Sequence, residues 1–271
     1  MNESPETMMH SQAAPATTVT SASASASAAE AEAEAEAAPV SRGTLLETRG
    51  VYRSFGQTPA LRGADLAVGA GEILAVMGPS GSGKSTLLHC LAGIYTPDAG
   101  EVIFDGRRID TLSDAERTVL RRTSFGFVFQ FGQLVPELTT ADNVALPLLL
   151  SGVKRKEAYQ KAASWLDRLG LADLGARRTG ELSGGQAQRV AIARALAPRP
   201  RVVFADEPTG SLDSLTGERV MDLLIETARQ ENATVVLVTH DARVAAYAER
   251  MVMVRDGKVI APAETASEVV R

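Results

Sequence analysis

Gly78-Pro79-Ser80-Gly81-Ser82-Gly83-Lys84-Ser85 matches the spacing G-x-x-x-x-G-K-[ST] at every required position. The run before it, EILAVM (72–77), reads as a strand, and KSTLLHCLAG (84–93) reads as a helix. A glycine-rich turn between strand and helix is a phosphate cradle. Its glycines let backbone N–H groups converge on phosphate oxygens, and the helix N-terminus adds partial positive charge. Lys84 supplies a full charge, the Ser85 hydroxyl suits Mg²⁺, and Thr86 is counted with the same binding turn.

Working outward, three further runs read as strands: SFGFVFQ (124–130), RVVFAD (201–206) and ATVVLVTH (233–240). They are almost continuously apolar, as parallel strands covered on both faces require. Helical patterns lie between them, near 154–169, in GGQAQRVAIARALA and in SLTGERVMDLLIETAR. Strands alternating with helices predict an α/β core. RMVMVRDGKVIA (250–261) predicts a hairpin turning at Asp256-Gly257.

The second functional run is RVVFADEP. An apolar strand delivers Asp206 at its C-terminal end, where parallel sheets place their ligands. Asp206 is the expected partner of the phosphate loop in holding Mg²⁺, through water. Glu207 follows it, aimed at the water that attacks the terminal phosphate. Cradle and acidic strand together indicate a nucleoside triphosphatase.

Composition bounds the rest. The chain has 271 residues, 45% hydrophobic and 23% charged, in the range of a globular protein. A single cysteine, Cys90, excludes an internal disulfide. No run of about 18 apolar residues is present, so no membrane-spanning segment is expected. The N-terminus, MNESPET, lacks the basic start and apolar stretch of a secretory signal. Residues 1–40 hold six acidic side chains and no Lys or Arg, so the net charge of −5 belongs to them. The other 231 residues balance 28 basic against 27 acidic groups, which gives no argument for nucleic acid. The stretch SASASASAAEAEAEAEAAP has almost no large apolar side chain to bury, so residues 1–40 are expected to form a disordered tail. Residues 41–271 are expected to form one domain.

Leu182-Ser183-Gly184-Gly185-Gln186 narrows the reading further. Ser183 lies 99 residues after Lys84 and 23 before Asp206, and it opens a helix whose free N–H groups form a second anion site. LSGGQ in this place resembles the signature of ABC ATPases, the nucleotide-binding subunits of ABC transporters. That resemblance covers residues 44 to about 261. It implies a P-loop α/β core with an N-terminal antiparallel β layer (44–76) and an inserted helical signature subdomain (about 131–185). It also implies a head-to-tail homodimer, each ATP clamped between one chain's P-loop and the other's Ser183, Gly184, Gly185 and Gln186.

Further matches extend the resemblance residue by residue. Gln130 resembles the glutamine that touches Mg²⁺ and relays to the membrane partner. His240 resembles the switch histidine that contacts the γ-phosphate, and Asp213, in Gly210-Ser211-Leu212-Asp213, resembles the aspartate linking the two sites. Phe55, in RSFG, stands where the family stacks an aromatic ring on adenine, with Tyr52 the weaker candidate and core packing the alternative. FVFQFGQLVPELTTADNVALPLLLSG, LSGGQAQRVAIARALA and DEPTGSLD are similar to the lipoprotein-release, macrolide-export and cell-division ATPases. Ala187 and Ser211 depart from that subfamily, which usually has Gln and Asn there. The implied partner is a permease on a separate chain, with this subunit at the cytoplasmic face of the membrane. The other class consistent with the motifs is an ABC ATPase without a permease. Cys90, Trp165 and Leu169 read as core, His10 and His89 show no metal spacing, and Arg121-Arg122 read as a solvated helix end.

Overall fold

The computed structural model describes residues 43–260. The tail expected over 1–40 lies outside the described residues. Two sheets share the described chain. A four-stranded antiparallel sheet has the order β2-β1-β4-β5, from Thr58–Gly69, Thr44–Phe55, Ala99–Phe104 and Arg107–Arg108. A six-stranded sheet has the order β10-β9-β3-β8-β7-β6, from Lys258–Ile260, Arg250–Arg255, Ile73–Met77, Thr234–Val238, Val202–Asp206 and Phe125–Phe129. Strands β9, β3, β8, β7 and β6 run parallel, and β10 closes antiparallel on β9.

The apolar runs become central strands because both of their faces are covered. Every residue of β3 and β8 is buried. One face carries Ile73, Val203, Ala205, Val235 and Leu237 into a core shared with helices α3 (Thr140–Leu150), α4 (Arg155–Arg168), α5 (Gly184–Leu196) and α6 (Ser214–Gln230). The alternate residues, Leu74, Val76, Phe204 and Val236, face helix α1 (Lys84–Leu91) and the antiparallel sheet. The two-residue period of a strand makes this division. Cys90 lies in the second core, where burial pushes its thiol up to about 12. Trp165 and Leu169 are buried in the first.

The predicted antiparallel layer needs redrawing. Residues 73–77 belong to the parallel sheet, because their fully buried run suits a central strand and not a layer with one face in water. The hairpin β4–β5 joins the antiparallel sheet instead, turning at Asp105 and Gly106, both at positive φ as a tight hairpin turn requires. The hairpin expected at Asp256-Gly257 forms there for the same reason. Helix α2 (Asp114–Ser124) takes Ser124 from the strand predicted over 124–130, and Gln130 lies one residue beyond β6. Arg122 is exposed, as the solvated helix end requires, and Arg121 is half-buried, its guanidinium also donating to the Gly93 carbonyl at 2.6 Å. Between β6 and α5 the described chain is helix and turn, in the interval read as helical. Helices α2 and α3 begin with reciprocal caps, Ser113 with Glu116 and Thr139 with Asp142.

Phe204 sits where the two sheets' shared core is thickest in aromatic rings. It is fully buried, edge-on to Phe125 at 5.3 Å and stacked near Phe127 at 5.6 Å. Phe204→Ala is expected to lose about 3–5 kcal/mol of stability, readable as a lower denaturant midpoint. A midpoint equal to that of the parent would show that the site closes around the void.

Candidate functional site

The C-terminal ends of β3, β7 and β8 meet at one edge of the parallel sheet, where Val238 pairs with Val76 on one side and Asp206 on the other. The phosphate loop leaves β3 at that edge. Lys84 is nearly buried, and its ammonium donates to the carbonyls of Gly78 at 2.8 Å and Pro79 at 3.0 Å, which holds the charge over the loop. Gly78, Gly81 and Gly83 all take positive φ. At Gly78 a Cβ would overlap the Val254 carbonyl oxygen, and at Gly83 that of Ala60. Sterics as well as backbone freedom therefore demand glycine. The loop is also tied from outside: Gly257 N–H donates to the Ser82 carbonyl at 3.0 Å, and Arg62 N–H to the Gly257 carbonyl at 2.8 Å.

The acidic pair is close by. Asp206 is half-buried, and burial holds its carboxyl above the ordinary range against the opposing pull of the Ser85 hydroxyl and His89. Its Oδ1 is buried without a hydrogen-bond partner, as is the Ser82 hydroxyl. Burial likewise pushes the His89 imidazole down, with Asp206 opposing. Glu207 has φ 49°, left-handed backbone that costs a non-glycine residue about 1–3 kcal/mol and collects at functional sites. Its Oε1 meets His240 Nδ1 at 2.7 Å and accepts from His240 N–H at 3.1 Å. Its Oε2 accepts from the Thr239 hydroxyl at 3.3 Å. His240 lies two residues beyond β8, and its ring is exposed.

The other predicted residues fall in three places. Gln130 follows Phe129, which pairs with Asp206, and its side chain packs on Gly210. The Ser211 hydroxyl donates to the Gln130 carbonyl at 2.8 Å, so the residue that departs from the subfamily is bonded to the glutamine. Ser183 caps α5, accepting from Gln186 N–H at 3.3 Å while Gln186 Oε1 accepts from Ser183 N–H at 2.8 Å. Gly185 is pressed on α6, where a Cβ would lie 2.5 Å from the Thr216 methyl. Asp213 caps α6 and is held below the usual carboxylate range by Thr216 N–H. No hydrogen bond or ion pair among the described residues joins 183–186 to the phosphate loop. Within one chain, the two anion sites stay separate.

Phe55 ends β1 and is 45% exposed, which excludes core packing. Tyr95 meets it edge-on at 5.4 Å, and the Arg53 guanidinium lies 5.2 Å from its ring centre. Tyr52 is exposed too, but its hydroxyl end leans toward Gly63 on β2. Arg53 and Gln188 act as braces in this region. Arg53 was findable, because it shares a strand face with Phe55. Gln188 was not: its amide donates to the Phe129 carbonyl at 2.9 Å and ties the signature helix to the Gln130 turn.

The family model described as "ABC transporter" matches residues 61–210. The chain is 45% identical over 220 residues to the lipoprotein-releasing system ATP-binding protein of Hyphomonas neptunium, covering 80% of this chain and 96% of that one. It is 45% identical over 226 residues to the macrolide export ATP-binding/permease protein of Nitrosomonas europaea, covering 82% of this chain but only 34% of that longer one. A solved dimeric ATP-binding cassette in a post-hydrolysis state with ADP and phosphate superimposes with TM-score 0.72 at 40% identity, covering 79% of this chain and 96% of that one.

Lys84→Ala is expected to weaken ATP binding by about ten- to a hundredfold, the range for a lost charged hydrogen bond. Titration calorimetry measures it directly, and unchanged affinity would remove the loop from phosphate binding.

Proposed function

The chain belongs to the ABC transporter family, and we propose that two copies clamp two ATP molecules to drive a separate membrane permease. The observation that carries the reading is the division of the site. The P-loop, Asp206 and Glu207 assemble at one sheet edge, while the capped end of α5 lies unjoined to them. A second copy, facing head to tail, completes each site by presenting Ser183, Gly184, Gly185 and Gln186 to the γ-phosphate.

In this reading the amides of residues 80–86 and Lys84 hold the phosphates, and Phe55 stacks on adenine. Glu207 orients the attacking water and receives its proton as the γ-phosphoryl group leaves ADP. His240, exposed and already bonded to Glu207, reports whether the γ-phosphate is present. Asp213 links the two sites across the dimer. The donor set fits Mg²⁺: Ser85 hydroxyl, Asp206 with its buried unpartnered Oδ1, and Gln130 are hard oxygen ligands. When bound, that ion neutralises charge on the β- and γ-phosphates.

Beside Gln130 the chain offers a groove of about 570 Å³, with Ile94, Phe127, Phe129, Leu146 and Leu150 among its walls. Arg194, also in its wall, donates to the carbonyls of Gly132 and Gln133 at 2.7 Å each. A permease segment seated there touches residues continuous with Gln130, so movement at the nucleotide reaches it mechanically. Among the described residues no helix is long and apolar enough to cross a membrane. In our reading the chain meets the membrane through the permease, at its cytoplasmic face. The relatives named for lipoprotein release and macrolide export support an outward-acting system.

Glu207→Gln is expected to retain ATP, accumulate as a closed dimer in size-exclusion chromatography, and lose turnover. Carried with ATP into detergent-solubilised native membranes, it is expected to recover a polytopic permease; recovery of soluble proteins alone favours the permease-free class. Leu150→Asp, at a side chain 60% exposed in the groove, is expected to reduce that recovery while leaving ATP affinity intact.

A further inference from the structure

The catalytic-edge carboxylate has two oxygens, and the structure treats them differently. Glu207 Oε1 is engaged by His240 alone, through its ring at 2.7 Å and its backbone N–H at 3.1 Å. The His240 ring is exposed and stands beyond the end of β8, so its ring contact can be exchanged. Oε2 is engaged by the hydroxyl of Thr239, a residue only 1% exposed.

The direction of the Thr239 bond is fixed. Asp241 N–H, which can only donate, gives its hydrogen to Thr239 Oγ1 at 3.0 Å. A carboxylate oxygen without a hydrogen, as Glu207 Oε2 is here assigned, can only accept. The hydroxyl hydrogen therefore points at Oε2. Thr239 is itself anchored to the strand that leads into the phosphate loop, its N–H donating to the Val76 carbonyl at 3.2 Å. The Glu207 main chain is tied to the neighbouring residue, its N–H donating to Val238 at 2.9 Å.

We propose that Thr239 is the positioning residue for Glu207, pinning Oε2 so that Oε1 is the oxygen presented to the attacking water. The inference rests on the reading of Glu207 as the residue that orients water. Thr239 touches neither nucleotide nor water in this scheme; it fixes the rotation of the carboxylate relative to the P-loop strand. A rotated carboxylate misaims the water, and misplacement of that kind acts on turnover and not on binding. A purely structural threonine, capping Asp241 N–H and filling space, predicts instead a loss of stability shared by every property.

The test uses the full chain in steady-state ATP hydrolysis, with Thr239→Val, Thr239→Ser and Glu207→Gln in parallel. Thr239→Val keeps the shape and removes the donor. It is expected to lower kcat by about tenfold or more, with KM and the affinity for a fluorescent ATP analogue within about twofold of the parent. Thr239→Ser restores the donor and is expected to restore most of kcat. A smaller fall in kcat, a change confined to KM, or failure of serine to rescue overturns the proposal. Should Thr239→Val not fold by thermal melting, Thr239→Ala takes its place under the same criteria. Failure of the underlying reading has a different signature, namely Glu207→Gln turning over at the parental rate.

Discussion

The phosphate loop exists in its working shape because backbone from elsewhere crowds it. Val254 and Ala60 present carbonyl oxygens where Cβ atoms of Gly78 and Gly83 would stand, and Gly257 N–H holds the Ser82 carbonyl at 3.0 Å. A loop of glycines is otherwise the segment that loses most entropy on ordering. Here the hairpin at the end of the described chain and strand β2 supply the contacts that order it. In the proposed reading the loop is thereby ordered before a nucleotide arrives, so binding costs little further ordering.

The same economy extends along the sheet edge. Adjacent parallel strands end in register, so Asp206, Glu207 and Thr239 come from different stretches of chain yet lie beside the end of the strand that leads into the phosphate loop. Glu207 bears a backbone conformation that only surrounding bonds can hold, and those bonds come from Val238, Thr239 and His240. Gln130 lies one strand further on, against Gly210 and Ser211, and Gln188 and Arg194 of the signature helix hold the turn on either side of it. The glutamine turn thereby runs by direct hydrogen bonds into the wall of the apolar groove, which Phe129, Gln133 and Arg194 line.

How much of this was legible in the sequence varies from residue to residue for physical reasons. Fully buried runs such as ILAVM and TVVLV declare parallel strands, since only a strand covered on both faces is apolar at every position. Ser183 and Gln186 declare a helix start, because a capping box is a contact over three residues. The partition of the antiparallel layer is not legible, for Arg107–Arg108 has no apolar alternation to read, and its hairpin joins the layer only through the pairing of β4 with β1, far back in the chain. Nothing local in the sequence indicates that the Gly93 carbonyl lies within reach of Arg121.

The sequence by itself determined the candidate set: the phosphate-loop pattern, the acidic pair and the LSGGQ run are each short patterns whose spacing reports a local backbone shape, whereas the exposure of Phe55 came from the fold. It thereby also determined the α/β class, because periodicity is local too. Only the tertiary structure decided what holds those parts. The clamp on the loop, the braces on Phe55, the hydroxyl on Glu207 and the groove beside Gln130 all join residues distant along the chain. Such contacts depend on how layers pack and how strands register, and neither leaves a periodic trace in the order of residues.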